Sequence, residues 1–239
     1  MTRLYIPLEI TIGTIITLTP EQSHYLIKVL RLTAGSKINI FNQEAGEWSA
    51  EIIQPSNKAS IRTLEQIKKP HVCNPLWLCF SPLKNDAMTY LVEKATELGV
   101  THLQPILTER CNNSRLNSER LQKNAIEASQ QCERFDVPEV LPLQSLEKFL
   151  THWNSETPII ACIERSETQT IYECLKKEQS LNVAFLIGPE GGFSDAEQTL
   201  MQRYPFIKTV TLGPRILRAE TASAAVLACY QAIKGDWKN

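Results

Sequence analysis

The chain changes its hydrophobic rhythm near residue 70. Before that point, apolar and β-branched residues come in short runs broken by polar turns. These runs predict strands over residues 3–6, 14–18, 37–42, 48–55 and 59–67, with hairpin-type connections at 43–46 and 55–58. One helix interrupts them. Thr19-Pro20-Glu21-Gln22 supplies an N-cap threonine and a proline whose fixed φ suits the first helical position. Tyr25, Leu26, Val29 and Leu30 then recur at helical spacing and predict an inward face. His24, Lys28 and Arg31 stand at i, i+4 and i+7 on another face, and Thr33-Ala34-Gly35 ends the helix. Five strands and one helix in about seventy residues predict a small β-barrel.

After the linker Lys68-Lys69-Pro70-His71, strand and helix alternate. Strands are predicted over 76–80, 102–107, 158–163, 182–187 and 207–212. Helices are predicted over 84–99, 118–134, 145–153, 170–178 and 221–234, with a further start at the capping box Ser194-Asp195-Ala196-Glu197. The long helix should turn Leu121, Ala125, Ala128 and Cys132 inward, and the last one Ala222, Ala225, Val226, Cys229, Tyr230 and Ile233. Repeated βα units with continuously apolar strands predict an α/β fold, its parallel sheet covered on both faces. The expected domains are therefore residues 1–70 and 73–239.

Composition narrows the classes. At 239 residues and 43% hydrophobic, the chain has enough apolar surface for an ordinary core. It has no run of eighteen apolar residues, and its first residues lack the apolar stretch of a secretory signal, so no membrane role is expected. The seven cysteines are scattered and form no Cys-x-x-Cys pair, which favours reduced thiols in a cytoplasm over a metal site or a disulfide framework. Net charge is -1. Residues 1–72 carry eight Lys/Arg against six Asp/Glu, a slightly basic balance compatible with RNA contact.

Candidate chemistry gathers in two loops. Phe185-Leu186-Ile187-Gly188-Pro189-Glu190-Gly191-Gly192-Phe193-Ser194 and Leu212-Gly213-Pro214-Arg215-Ile216-Leu217-Arg218-Ala219-Glu220-Thr221-Ala222 each read as an apolar strand, a Gly-Pro loop and a helix start. Two such loops at the carboxyl ends of strands in one sheet would flank a ligand crevice. Neither matches a phosphate-binding glycine fingerprint. The glycines either admit a ligand to bare backbone or serve a tight turn. Arg215, Arg218 and Glu220 either face a ligand or pair on a solvated loop.

These two motifs, in this order, resemble the SPOUT-class RNA methyltransferases of the RsmE type. The resemblance extends to His-Tyr-Leu-Ile-Lys-Val-Leu-Arg at 24–31, Glu-Lys-Ala-Thr-Glu-Leu-Gly-Val at 93–100, Thr-Glu-Arg-Cys at 108–111 and Glu-Ala-Ser-Gln-Gln-Cys-Glu-Arg at 127–134. It thus covers both predicted domains. One departure stands out: Glu133 occupies a position where the family pattern has glycine. The resemblance implies a PUA-like N-terminal β-barrel and a C-terminal parallel α/β domain with a deep trefoil knot, a rare exception to unknotted chains. It implies a homodimer that methylates N3 of uridine 1498 in 16S ribosomal RNA, as free RNA or within the small subunit, using S-adenosylmethionine. The cofactor set it implies is Glu164, Leu186, Ile187, Gly188, Glu190, Gly191, Gly192, Leu212, Gly213, Ile216, Leu217, Arg218, Thr221 and Ala222. Adenine would lie against the backbone of 186–188 and 212–217.

Arg218 is the candidate to stabilise a developing uracil anion, because a guanidinium supplies charge and directed donors. Glu220 is either the proton acceptor, an orienter of Arg218, or a helix-start charge. Glu164 and Glu190 are candidate partners of the cofactor's ribose or amino group, or simply turn carboxylates. Arg3, His24, Lys28, Arg31, Arg110, Gln131 and Arg134 are the expected RNA contacts. Three other readings compete: a SPOUT enzyme acting on another RNA atom, an RNA-binding assembly factor without catalysis, and a small-molecule α/β enzyme. The intact loop motifs count against the second, and the extra β-rich domain against the third.

Overall fold

The structure is a computed structural model and describes residues 2–71, 73–111, 115–164 and 168–238. The chain divides into two compact units, Met1–Val72 with Ser129–Val137, and Cys73–Ala128 with Pro138–Asn239. Among the described residues no helix is long and apolar enough to cross a membrane.

The first unit is built on a five-stranded sheet ordered β1-β3-β4-β5-β2, from Arg3–Tyr5 (β1), Ile15–Thr17 (β2), Lys37–Asn42 (β3), Gly46–Gln54 (β4) and Ser60–Lys68 (β5). β1 runs parallel to β3, and the other neighbours are antiparallel. Alternation turns Ile38, Ile40, Ala50, Ile52 and Ile61 into one core with Leu4, Ile16 and Leu26.

The first helix departs from expectation. α1 covers only Pro20–His24, started by a capping box between Thr19 and Gln22. It then widens into a π-turn over Tyr25–Val29, with the Leu30 N–H donating to the Tyr25 carbonyl five residues back at 2.9 Å. That extra residue per turn breaks the 3.6-residue register. Leu26 stays fully buried, whereas Tyr25 and Val29, expected inside, are 43% and 57% exposed. Arg31 does not share a helical face with His24 and Lys28 either. It lies past the helix end with φ 56°, in the left-handed region.

Arg3 also departs from expectation. It is buried, and its guanidinium donates to Glu47 at 2.9 Å and to the carbonyls of Ser129, Gln130, Glu133 and Arg134 at 3.2–3.3 Å. It also lies over the Phe41 ring, 4.2 Å from the centroid. With its donors spent on protein oxygens, Arg3 is not an RNA contact. Burial pushes the Glu47 carboxyl up, but hydrogen bonds from Asn39 and Arg3 and the charges of Arg3 and Lys68 together bring it below its ordinary value. Removing one partner from such a buried pair costs about 3–5 kcal/mol. Arg3 and Glu47 thus fix Ser129–Val137 within this unit. Glu133, where the resemblance led to an expectation of glycine, adopts φ 63°, a conformation that glycine takes without steric cost.

The second unit holds a parallel sheet ordered β12-β10-β11-β6-β7-β8, with β9 also on β7. Its strands are Leu76–Phe80 (β6), His102–Leu107 (β7), Glu139–Val140 (β8), Gln144–Ser145 (β9), Ile159–Cys162 (β10), Val183–Ile187 (β11) and Ile207–Val210 (β12). The two-residue strands β8 and β9 are too short to show in the hydrophobic pattern. The helices are Asn85–Glu97 (α2), Ser118–Gln131 (α3), Leu146–His152 (α4), Ile171–Lys177 (α5), Asp195–Met201 (α6) and Ala219–Ile233 (α7). α3 ends before Cys132, which therefore does not belong to its packed face. α7 packs on α2, α5 and β11, while α4 packs on α6 and β7. β11 is buried along its whole length. Phe185 meets Tyr230 of α7 edge-on at 5.9 Å, and Leu186 joins the opposite core with Phe149, Phe193 and Met201. Helices on both faces leave the strand ends as the open part of the sheet.

Candidate functional site

β12, β10 and β11 are adjacent, and their carboxyl ends open into one cavity of about 720 Å³. The loops after these strands wall it: Cys162–Glu164 after β10, 187–193 after β11 and 211–217 after β12, closed by Ala219 and Ala222 of α7, Gln198 of α6 and Arg110 from the loop after β7. Ligands bind in such crevices because the loops there converge while strand backbones stay paired below. Small side chains at the start of α7 keep the cavity open on that side.

Local sequence explains the loop after β11. A Cβ on Gly188 would come within 3.0 Å of the Phe193 ring, so a larger residue would displace a buried anchor. Gly192 turns the chain at φ 67°, where its N–H donates to the Pro189 carbonyl at 2.8 Å. Ser194 then caps α6 through the predicted box with Glu197. Arg110 donates to the Gly191 carbonyl at 3.0 Å and to the Phe193 carbonyl at 3.4 Å. The Gln198 amide donates to the same Phe193 carbonyl at 3.2 Å. The loop after β12 is more open, with residues 213–216 exposed.

Most of the predicted cofactor set meets in this cavity: Glu164, Ile187, Gly188, Glu190, Gly191, Gly192, Leu212, Gly213, Ile216, Leu217 and Ala222 all line it. The Leu186 side chain does not, being wholly buried in the core one residue below the wall. Arg218, Glu220 and Thr221 do not line it either. Arg218 is the exposed N-cap residue of α7, directly after the lining residue Leu217, and Glu220 is half-buried in the first turn. Of the expected RNA contacts, His24, Lys28, Arg31 and Gln131 are exposed. Arg110 is exposed but braces the cavity wall, and Arg134 is occupied by a close ion pair with Asp136.

Pro189, Phe193, Pro214, Arg215 and Ala219 also line the cavity; they belong to the two motif stretches without having been singled out as cofactor residues, whereas sequence reading missed Cys162, Ile163, Gln198 and Thr211. Gln198 had a usable signal, standing one turn into a helix that starts at the cavity. Cys162 had none, since it reads as one more apolar strand residue. Burial, with Cys174 and Cys229 nearby, pushes the Cys162 thiol pKa up, so it stays protonated and is a poor nucleophile.

Comparison with known proteins agrees with this architecture. Residues 69–231 match the RNA methyltransferase domain model, and residues 18–63 match the RNA methyltransferase PUA domain model. These matches set the class, an RNA methyltransferase domain accompanied by a PUA domain. Ribosomal RNA small subunit methyltransferase E of Rickettsia conorii is 32% identical over 95% of this chain and 93% of its own length. The protein of the same name from Bacillus subtilis is 28% identical, with 92% of each chain covered. A crystal structure of that methyltransferase from Neisseria gonorrhoeae, bound to S-adenosyl methionine, superposes with a TM-score of 0.84 at 29% identity, covering 97% of both chains. The chain belongs to the ribosomal RNA small subunit methyltransferase E family.

Proposed function

We propose that this protein uses S-adenosylmethionine to methylate N3 of uridine 1498 in 16S ribosomal RNA, as free RNA or in the small subunit. The observation that carries this reading is the cavity walled by both motif loops at the ends of three adjacent parallel strands. The cavity fits the cofactor on its own terms. Its volume lies within the range of about 300–1,000 Å³ usual for small-molecule sites. It offers apolar surface from Ile163, Leu212, Ile216 and Leu217 for a flat ring, with Glu164, Glu190, Gln198 and Thr211 as polar partners.

When bound, S-adenosylmethionine supplies a methyl group on a sulfonium, open to in-line displacement. The residues of the chain have the remaining tasks. Uridine N3 is a poor nucleophile until it loses its proton, and the resulting charge spreads to O2 and O4. Arg218, exposed directly beyond the wall residue Leu217, is our assignment for stabilising that charge. Glu220, in the next turn, is our assignment for accepting the N3 proton or orienting Arg218. His24, Lys28, Arg31 and Gln131 are proposed RNA contacts. Phosphate contacts of this kind position a substrate without reading its sequence.

The same reading carries a cytoplasmic homodimer, domains at 1–70 and 73–239, and a trefoil knot formed by the two motif loops. Two measurements test it. Calorimetry should detect S-adenosylmethionine binding, and its absence at millimolar ligand would sink the enzymatic reading. Mass mapping of 16S RNA from cells lacking the protein should reveal one missing uridine methyl. A fully methylated RNA would exclude this target.

A further inference from the structure

The loop after β7 is tied to the loop after β11 across the end of β6, which lies between them. The Ser81 N–H donates to the Ile187 carbonyl at 3.2 Å, and the Ser81 and Thr108 hydroxyls share a buried hydrogen bond of 2.9 Å. The Glu109 N–H donates to Oε1 of Glu197 at 2.8 Å, while Oε2 of the same carboxylate accepts from the Ser194 N–H at 2.8 Å. Arg110 completes the tie through the carbonyls of Gly191 and Phe193. One carboxylate therefore starts α6 and anchors a neighbouring loop. Gly191 and Gly192 have no side chains with which to hold their own loop, so beyond the Gly192–Pro189 turn its shape depends on donors and acceptors from outside it.

We propose that Arg110 and Glu197 are positioning residues that hold loop 188–193 in the shape that receives the cofactor. This inference rests on reading the cavity as the S-adenosylmethionine site. It assigns Arg110 a task inside the protein that is complete before any RNA arrives. A loop already ordered loses less conformational freedom on binding, so the two residues should act on cofactor affinity.

The test is calorimetry of S-adenosylmethionine with the full-length protein and no RNA. Arg110→Gln removes the guanidinium, whose Nη1 makes both carbonyl contacts. Glu197→Gln separates two roles, because glutamine still completes a capping box but has one acceptor oxygen instead of two. Each is expected to weaken affinity about five- to tenfold, the effect of one or two hydrogen bonds, with an unfolding midpoint lowered by no more than about 4 °C. Because both act on one loop, the double variant should lose less than the product of the single losses. Arg110→Lys, which keeps one charged donor nitrogen, should recover part of the affinity. Should an unfolding midpoint fall further than that, Arg110→Lys serves as the milder probe of the same tie. Wild-type binding with both glutamine variants within twofold of it would overturn the inference alone, as would an Arg110 effect confined to the KM for RNA. A wild-type protein that binds no cofactor would overturn the inference together with the reading of the cavity.

Discussion

The two main walls of the cavity share a sequence grammar, a strand then Gly-Pro then a helix start, yet they are built differently. The wall after β11 is braced. Arg110, Gln198 and the Gly192–Pro189 turn fix its backbone, and Phe193, 4% exposed, anchors it in the core. The wall after β12 is loose. Among the described residues its hydrogen bonds between 212 and 217 are local ones, exchanged between Thr211 and Gly213 at 3.2 and 3.3 Å, and Ile216 is 57% exposed. The cause lies in the residues downstream of the glycines. After Gly192 come an aromatic anchor and a capping box, whereas Arg218 begins α7 with no side-chain cap. Segments with few buried contacts open at low free-energy cost and are the ones that rearrange on binding. The first wall is thus held in place from several sides, and the second is held by little beyond its own Thr211–Gly213 turn.

The largest expected effect concerns the loose wall. Arg218→Ala should lower methyl transfer about 100-fold or more, the scale seen when one charge-stabilising donor is removed. Because the Arg218 side chain neither caps α7 nor lines the cavity among the described residues, cofactor affinity should stay within about threefold. Methyl incorporation into 16S RNA and calorimetry read the two quantities, and near-normal turnover would refute the assignment. Hydrogen exchange tests the contrast directly. Adding S-adenosylmethionine should slow exchange at residues 212–217 about tenfold or more, and at 190–194 by less, because the first wall is ordered beforehand. Greater protection at 190–194 would reverse the comparison.

The reach of sequence is limited by the same physics. The strands of both units other than the two-residue β8 and β9, and the Ser194 box, were legible because apolar spacing and capping chemistry are local. The cavity was legible as two loops but not as a volume, because Arg110, Gln198 and Cys162 arrive from other strands and helices. Arg3 and Glu47 were illegible for the same reason: their partnership spans 44 residues, and an arginine near a basic N-terminus reads as a surface charge. The π-turn at Tyr25–Val29 was hidden because one extra residue per turn leaves the apolar residues in place while changing which of them face inward. Glu133 is instructive in the other direction. The resemblance led to an expectation of glycine at this position, and the backbone there takes an angle that glycine adopts most easily.

The smallest effect sharpens the comparison most. Gly192 and Gly213 both have positive φ, 67° and 104°, and a Cβ on either would meet nothing within 4 Å. Alanine at each is therefore opposed by backbone strain alone, about 1 kcal/mol for a left-handed residue. In the braced wall that strain has no outlet, because Arg110, Gln198 and the turn hold the chain on either side. Gly192→Ala should lower the unfolding midpoint by about 2–4 °C. In the loose wall the backbone can shift to a relaxed angle, so Gly213→Ala should lower the midpoint less, although 104° is the more demanding angle for alanine. The cost reappears when the ligand restores the native loop, as weaker cofactor affinity with nearly unchanged stability. Scanning calorimetry and titration of the two variants separate these outcomes, and a larger midpoint loss for Gly213→Ala would show that the second wall is as rigid as the first.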